Sequence, residues 1–171
     1  DKIGELLATL KECRLDQDTV IIFTSDHGDM LGERGLWFKM SFFDGSSRVP
    51  LMIHAPRHFK AGAVTVPVST LDVMPTLADL AGISTLSGVS DLDGASLRPM
   101  LEGQSSSGRP VFVEYAAEGS IAPMAMIRKD RFKLTIAGDD PVQLFDLQSD
   151  PHEQVNIAED ARFKSELDAL L

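Results

Sequence analysis

The feature of this sequence that most constrains its fold is a short apolar run, Val20–Phe23, bracketed by polar residues. Such a run is typical of a strand covered on both faces, as in the parallel sheet of an α/β domain. Upstream of it, apolar residues recur at the spacing of one helix face: Ile3, Leu6, Leu7 and Leu10. Helix and strand, joined by a short Asp16–Asp18 connection, predict an αβ unit near the start of the chain.

A second strand and a helix are predicted further along the chain. Leu51–His54 is apolar and is followed by Ala55-Pro56, which ends the strand. Asp72 is predicted to be the N-cap of a helix, with Pro75 in its first turn, where a missing amide hydrogen costs nothing. Gly82 stands where a glycine commonly follows the C-terminus of a helix. These elements extend the α/β pattern.

The pattern changes in the last third of the chain. Residues 84–108 are rich in Ser, Gly and Asp and are predicted to be a loop with a short helix near Leu97–Leu101. Three strands linked by turns are then predicted: Val111–Val113, Ala125–Ile136 and Gln143–Leu147. A final apolar stripe of helical spacing follows at Phe163, Leu167, Leu170 and Leu171. We therefore predict an α/β part over residues 1–108 and a small antiparallel α+β subdomain over residues 109–171.

Charge and cysteine content narrow the classes of function. The 171 residues carry a formal net charge of −10, which argues against a nucleic-acid groove and against docking on anionic lipid. An anionic small molecule remains compatible, because a bound metal and one lysine can dominate the local field. No apolar run approaches the roughly 18 residues of a membrane span. The single cysteine, Cys13, fits a reducing compartment and predicts a cytoplasmic protein.

The polar residues directly after the first strand suggest a metal site. Asp26 and His27 are adjacent, and ligand sites in open α/β sheets gather at the carboxyl ends of strands. Neighbouring residues of an extended strand point to opposite faces, so both can bind one metal only if the chain turns, which Gly28 permits. The pair would be a partial shell that needs further oxygen ligands. The alternative is that Asp26 caps a turn and His27 is an ordinary loop residue.

Lys39 is a candidate for binding an anion. It lies in residues 28–48, which show no clear periodicity, and a loop of this length is usually functional or disordered. Its aromatic neighbours, including Trp37 and Phe38, argue against disorder. A lysine close to a metal pair would neutralise an anionic oxygen. The alternative is a surface lysine whose stem lies along apolar side chains.

These residues belong to a longer recognisable pattern. Residues 24–39 resemble the second conserved block of the sulfatases in the alkaline phosphatase superfamily. Later segments match the family in the same order: Ser47–Leu51, Ser69–Asp72 with Pro75–Leu77, and Leu144–Leu147 with Asp150–Glu153 and Asn156. Within the family, residues 30–43 and 114–123 are most similar to choline-sulfatases. The resemblance implies an α/β fragment of an alkaline-phosphatase-like core sheet followed by a small antiparallel α+β subdomain.

The resemblance also assigns roles to individual residues. It implies that Asp26 and His27 bind a divalent metal, with Ca²⁺ expected and Mg²⁺ or Mn²⁺ as alternatives, and that Lys39 contacts the sulfate during catalysis. Glu114 or Glu118 would supply a carboxylate for a quaternary ammonium, with Glu118 preferred because it follows a strand in a predicted loop. The alternative for either glutamate is a solvated edge or turn charge.

Other parts of the sulfatase pattern do not occur in this sequence. The resemblance implies a formylglycine nucleophile formed from a Cys/Ser-x-Pro-x-Arg motif, whereas Cys13 is followed by Arg-Leu-Asp. Helical stripes also run to both ends of the chain, so we expect it to be part of a longer protein and to be inactive alone. The complete protein would hydrolyse a small sulfate ester and form a homo-oligomer.

Two other functions remain open. Phosphonate monoester or phosphodiester hydrolases of the same superfamily resemble this chain in having histidine at the position of His27, so His27 alone does not decide the substrate. The alternative of another class is a non-catalytic binding or assembly module, in which Asp26 and His27 form a turn and the aromatic residues around Trp37 form a docking patch.

Overall fold

The structure is a computed structural model that describes residues 1–83, 92–104, 108–117 and 119–171. Within these ranges the helices are α1 (Lys2–Glu12), α2 (Asp44–Ser47), α3 (Val73–Leu80), α4 (Arg98–Leu101) and α5 (Lys164–Leu170). The strands are β1 (Ile21–Thr24), β2 (Met30–Leu31), β3 (Trp37–Phe38), β4 (Leu51–His54), β5 (Val111–Tyr115), β6 (Met124–Lys129), β7 (Phe132–Ala137) and β8 (Gln143–Asp146). None of the helices in the described ranges is both long and apolar enough to span a membrane.

The first predicted strand pairs differently from the expectation. Strand β1 pairs antiparallel with β4, with Ile21 opposite His54 and Thr24 opposite Leu51. Side chains of this pair remain open to solvent, including Phe23 and Met52. The expectation of a parallel strand covered on both faces is therefore wrong for this chain. The apolar composition of β1 marks a surface that the described residues leave uncovered.

The cap that precedes helix α3 is one turn earlier than predicted. Ser69 Oγ accepts from the Leu71 amide, and Asp72 Oδ2 accepts from the Ser69 amide, so the two side chains form a capping box. Asp72 occupies the N-cap position of α3, as predicted, but its buried carboxylate makes no cap bond to that helix. It instead accepts from the Ala95 amide and from Arg109 Nη2. Gly82 follows the helix with φ +70°, as predicted.

The last third of the chain forms the predicted antiparallel sheet. Its order is β5-β6-β7-β8, and every neighbouring pair is antiparallel. Residues 125–136, predicted as one strand, form the β6–β7 hairpin, because Asp130 turns the chain with φ +50°. The core of this sheet is apolar: Met126, Leu134, Leu144 and Phe145 are buried. Helix α5 packs on β7, where the rings of Phe132 and Phe163 are 6.1 Å apart.

The segment with no clear periodicity is ordered by contacts to this sheet. It contains the β2–β3 hairpin and α2. The Phe43 ring lies 6.1 Å from the Phe145 ring, and the Arg34 guanidinium lies 4.1 Å above Phe43. Aromatic and cation–π contacts therefore join this segment to the four-stranded sheet. The domain boundary between residues 108 and 109 stays a prediction.

Candidate metal and anion site

A tight turn follows strand β1 and brings Asp26 and His27 together. Ser25 Oγ donates to the carbonyl of His27 at 2.8 Å, and Asp26 Oδ1 accepts from the His27 amide at 3.0 Å. These bonds hold the backbone away from the extended form. As a result Asp26 Oδ2 lies 3.6 Å from His27 Nε2. Two side chains that a straight strand would direct to opposite faces therefore point into one region.

Gly28 is needed here because another part of the chain passes very close to it. Its amide donates to the carbonyl of Ser46 at 2.8 Å. A Cβ atom at this position would lie 2.2 Å from the carbonyl oxygen of Gly45. The sequence predicts that Gly28 permits a turn because glycine tolerates unusual backbone conformations. Gly28 is, however, not among the glycines with positive φ. The requirement is close approach of helix α2.

The hydrogen bonds of His27 define its protonation state. Its Nδ1 lies 2.8 Å from the carbonyl oxygen of Gly28, which can only accept, so Nδ1 carries the proton. Its Nε2 lies 3.2 Å from Lys39 Nζ, and an ammonium has no lone pair, so Nε2 is the acceptor. These two contacts fit the tautomer that has its proton on Nδ1 and its lone pair on Nε2. A histidine that binds a metal uses this form, with its other ring N–H held by a carbonyl or carboxylate.

Asp26 supplies negative charge beside that lone pair. The hydrogen bond from the His27 amide is the main reason why the pKa of Asp26 is lowered from its ordinary value. The carboxylate is also 85% exposed, so water stabilises its charged form. Oδ2 of Asp26 and Nε2 of His27 are thus two electron-pair donors, 3.6 Å apart, with no proton between them. Such a pair fits part of the shell of a divalent cation.

The two donors form an incomplete shell. Within residues 1–83, 92–104, 108–117 and 119–171, no group of three or more acidic, histidine or cysteine side chains is placed to hold a metal ion. Divalent cations that prefer oxygen ligands take six or more of them or keep several waters. A cation at Asp26 and His27 would therefore need additional ligands beyond these two side chains.

Lys39 adds a positive charge to the same region. It follows Phe38, the last residue of strand β3, which lies in the left-handed region with φ +70° although it is not glycine. Bulky residues rarely adopt this conformation unless their surroundings enforce it. The carbonyl of Lys39 accepts from Ser46 Oγ at 2.5 Å, while its ammonium reaches His27. Carboxylate, imidazole and ammonium groups from Asp26, His27 and Lys39 thus converge.

The structure separates the two glutamates considered for a substrate cation. Glu114 lies on β5 opposite Ala125, with its side chain exposed, and belongs to the four-stranded sheet. Glu118 lies outside the described residues. Gly119, the next residue, packs against Met40: a Cβ on Gly119 would lie 3.0 Å from Met40 Cγ. The chain after β5 therefore returns to the neighbour of Lys39.

Sequence reasoning missed the residues that support the site. Gly28 and Lys39 both hydrogen-bond to Ser46. Asp44, two residues before Ser46, in turn contacts Lys133 and Glu153. Of these, only Glu153 carried a signal, because it lies in the Asp-Pro-His-Glu segment that matches the sulfatases. Lys133 lies in a strand where a charged residue would ordinarily be expected to face solvent.

Comparison with known proteins shows what this arrangement resembles. Residues 32–170 match the family N-sulphoglucosamine sulphohydrolase, C-terminal. The chain is 54% identical over 162 residues to the choline-sulfatase of Rhizobium meliloti (strain 1021), covering 95% of the chain and 31% of that protein. It is 38% identical over 167 residues to arylsulfatase K of Gallus gallus, covering 91% of the chain and 31% of that protein.

Solved structures give the same result. BT4656 in complex with its substrate D-glucosamine-2-N,6-O-disulfate superposes with a TM-score of 0.83 and 31% identity, covering 98% of this chain and 35% of that one. The phosphonate monoester hydrolase of Agrobacterium radiobacter superposes with a TM-score of 0.81 and 36% identity, covering 97% of this chain and 36% of that one.

The extent of these matches defines what they establish. The chain spans about a third of the length of the relatives that it matches, which corresponds to the 31% found for both curated relatives. Within that third the agreement is nearly continuous, since the family match alone runs from residue 32 to residue 170. The chain belongs to the sulfatase family, corresponds to its C-terminal part and has its alkaline-phosphatase-like fold.

Proposed function

We propose that the intact protein hydrolyses sulfate esters, and that its substrate is choline sulfate or a similar small alkyl sulfate. The observation that carries this proposal is the convergence of Asp26, His27 and Lys39 at the end of β1. Two metal-type donors beside an ammonium suit a doubly anionic transition state of sulfuryl transfer. The 54% identity to a choline-sulfatase supports the choice of substrate.

Asp26 Oδ2 and His27 Nε2 would hold a divalent cation, with other ligands from the rest of the protein. A cation bound there would lower the pKa of the nucleophile and offset charge on the sulfuryl oxygens. Ca²⁺ is our first choice, with Mg²⁺ and Mn²⁺ as alternatives. The resemblance to sulfatases suggests a formylglycine nucleophile on a segment outside this chain. Activity after chelation and reloading with each ion would identify the metal.

Lys39 would change partner when the site is used. Its ammonium donates to the Nε2 lone pair of His27 in this structure. A cation on Nε2 needs the same lone pair, so the two cannot share it. The ammonium would then be free to turn towards the anionic oxygens of the substrate, where a compact positive charge is most effective.

Glu118 is our candidate for recognising a quaternary ammonium, and Glu114 is the second. The proposal is supported by the contact of Gly119 with Met40, next to Lys39. The test compares Glu118→Gln with Glu114→Gln in the intact protein, using choline sulfate and an uncharged alkyl sulfate of similar size. We expect Glu118→Gln to raise KM for choline sulfate alone. An equal change for both esters would contradict a role in cation recognition.

A second candidate function is phosphonate monoester or phosphodiester hydrolysis. It is favoured by the 36% identity and 0.81 TM-score to the Agrobacterium radiobacter enzyme. The decisive measurement is kcat/KM of the intact protein for choline sulfate and for a phosphodiester. We expect the sulfate ester to be preferred, and the opposite preference would assign the second function. Absence of turnover with either ester would favour the non-catalytic binding module.

We also propose that the intact protein is a cytoplasmic homo-oligomer. The single cysteine of these 171 residues is compatible with a reducing compartment, since this part of the protein has no internal disulfide to form. The net charge of −10 supports a small-molecule substrate over nucleic acid or anionic lipid. Cell fractionation tests the location, and sedimentation of the intact protein tests the oligomer.

A further inference from the structure

Two buried charged side chains, Lys133 and Glu153, form a cluster with the partly buried Asp44. Lys133 on β7 is only 2% exposed, and its Nζ lies 2.6 Å from Asp44 Oδ1 and 2.5 Å from Glu153 Oε1. Glu153 is 3% exposed, and its Oε2 accepts from the backbone amide of Asp44 at 2.7 Å. Asp44 is therefore held through both its side chain and its main chain.

Such a cluster costs free energy to bury, so its role is not explained by stability alone. Taking charged groups out of water is offset only when the geometry and the remaining hydrogen bonds are good. Glu153 is also held in the left-handed region, with φ +55°, which is unfavourable for a residue other than glycine. Backbone strain of this kind persists where the surroundings enforce it, often near functional sites.

The cluster is connected directly to the residues of the candidate site. Asp44 begins helix α2, and the same helix contains Ser46. The Ser46 carbonyl accepts from the Gly28 amide, next to His27, and its Oγ donates to the carbonyl of Lys39. A displacement of Asp44 would therefore move both chain segments that carry the contact between His27 Nε2 and Lys39 Nζ.

We propose that Lys133 and Glu153 are positioning residues for the sulfate-ester reaction. By holding Asp44, they keep α2 against Gly28 and Lys39 and so hold the segments of His27 and Lys39 together, with Nε2 and Nζ 3.2 Å apart in this structure. The four-stranded sheet thus acts on the metal and anion site through one short helix. This inference rests on the proposed function, but its structural part can be tested without turnover.

The chain offers a matched control for a purely structural effect. Arg109 forms an ion pair with Asp72, whose side chain is 5% exposed, so its loss also leaves a buried carboxylate without its cation. Among the described residues, Asp72 and Arg109 also bond to Ser69, Thr76, Asp93 and Ala95, none of which belongs to α2 or to the candidate site. Arg109→Met therefore removes the cation partner of a buried carboxylate without disturbing Ser46.

The experiment compares Lys133→Met with Arg109→Met in the intact protein. Both are assayed for choline sulfate hydrolysis at a temperature where circular dichroism shows each variant to be folded. We expect Lys133→Met to lower kcat roughly tenfold to a hundredfold, the cost of a small misplacement of catalytic groups. KM should change less than kcat, because Lys133 itself makes no contact with substrate in this proposal. Arg109→Met should leave kcat near the parent value.

A second readout follows the position of His27 without substrate. Histidine-selective ¹⁵N labelling of the metal-free intact protein, at one fixed pH, reports the ring nitrogens and thus the hydrogen bond from Lys39 to Nε2. Lys133→Met should shift the Nε2 resonance, and Arg109→Met should not. An unmoved His27 resonance in a folded Lys133→Met variant would overturn the proposal, as would equal kcat losses in both variants.

The experiment also remains informative if Lys133→Met does not fold or if the parent shows no turnover. If Lys133→Met does not fold, Glu153→Gln replaces it, because glutamine keeps the volume and an acceptor for the Asp44 amide but loses the charge opposite Lys133. The same resonance shift and a smaller loss of kcat are then expected, and no change in either overturns the inference. If the parent hydrolyses no sulfate ester, the proposed function fails, while the resonance shift still tests the positioning.

Discussion

At the scale of single residues, the chemistry of the site depends on the hydrogen bond between His27 Nδ1 and the Gly28 carbonyl. This bond places the ring proton on Nδ1 and leaves the Nε2 lone pair directed at Lys39 Nζ and near Asp26 Oδ2. Backbone atoms thus set the state of the imidazole, because a carbonyl can accept but cannot donate. The same turn lowers the pKa of Asp26 through an amide hydrogen bond.

The first prediction concerns these two donors. Asp26→Ala and His27→Ala in the intact protein should each reduce sulfate release and metal affinity by at least the roughly tenfold to hundredfold that loss of an outer-shell partner causes. Activity assays and calorimetric metal titration measure this, and circular dichroism checks folding. His58→Ala, at an exposed histidine, is the control. Full activity in both variants would remove these residues from the mechanism.

The second prediction concerns Gly28. In Gly28→Ala, the new methyl group would lie 2.2 Å from the Gly45 carbonyl oxygen, so helix α2 has to move. We expect a loss of about 1–3 kcal/mol in the free energy of unfolding, as for other overpacked positions. Urea unfolding measures this loss. Gly62→Ala is the control, because nothing lies within 4 Å of its Cβ position, and an equal loss in both variants would contradict the prediction.

At the scale of elements, side chains cap the N-termini of helical segments. The local sequence identifies these capping residues only in part. Ser69 and Asp72 form a capping box one turn before α3. Asp160 accepts from the Arg162 amide at the start of the 3₁₀ turn that leads into α5. Each cap satisfies amide groups that helix geometry leaves without partners. Capping therefore sets where each of these helical segments begins.

The third prediction concerns the pH dependence of the Asp160 cap. Hydrogen bonds from the Arg162 side chain are the main cause that lowers the pKa of Asp160 from 3.8 to about 2. Because the folded pKa is depressed, the stabilisation is present above pH 3.8 and is lost as the pH falls from 3.8 to about 2. The difference in urea midpoint between the parent and Asp160→Asn should therefore shrink over this range.

A direct titration tests why the pKa of Asp160 is lowered. In Arg162→Ala, the ¹³C titration midpoint of the Asp160 carboxyl should rise from about 2 towards 3.8, without reaching it if the Arg162 amide still donates. Lys164→Ala removes an exposed ion pair on the neighbouring helix α5 and should leave the midpoint of Asp160 unchanged. An unchanged midpoint in Arg162→Ala would contradict the assignment of the guanidinium as the main cause.

At the scale of the whole molecule, the two ends of the fold differ in how much apolar surface they cover. The four-stranded sheet has a buried core around Leu144, whereas α1 has no buried residues and Leu6 on it is 67% exposed. Phe23 and Met52 on the β1–β4 pair are exposed as well. Uncovered apolar surface of this kind marks an interaction site or promotes association.

The fourth prediction is that the isolated 171-residue chain self-associates through this surface. Analytical ultracentrifugation should show species larger than a monomer, and Leu6→Glu combined with Met52→Glu should reduce them. Lys2→Glu combined with Lys11→Glu, at exposed polar positions of α1, is the control. A monomer at high concentration would contradict the prediction.

The fifth prediction is that the same isolated chain releases no sulfate from choline sulfate in the presence of Ca²⁺, Mg²⁺ or Mn²⁺. Among its described residues, no third acidic, histidine or cysteine side chain joins Asp26 and His27 to hold a metal ion, which leaves the cation shell incomplete. Ion chromatography of released sulfate measures this. Turnover by the purified chain, lost again in His27→Ala, would contradict it.

The sequence by itself determined the elements and the motif, because both depend on neighbours along the chain. Local pattern placed α1, β1, β4, β5 and β8 but predicted one strand where the β6–β7 hairpin lies, and adjacent residues placed Asp26 beside His27 at a strand end. Only the tertiary structure decided the antiparallel pairing of β1 with β4 and the buried contact of Lys133 with Asp44, 89 positions apart. Such contacts depend on how remote segments pack, and no local pattern encodes which distant charge a buried lysine will meet.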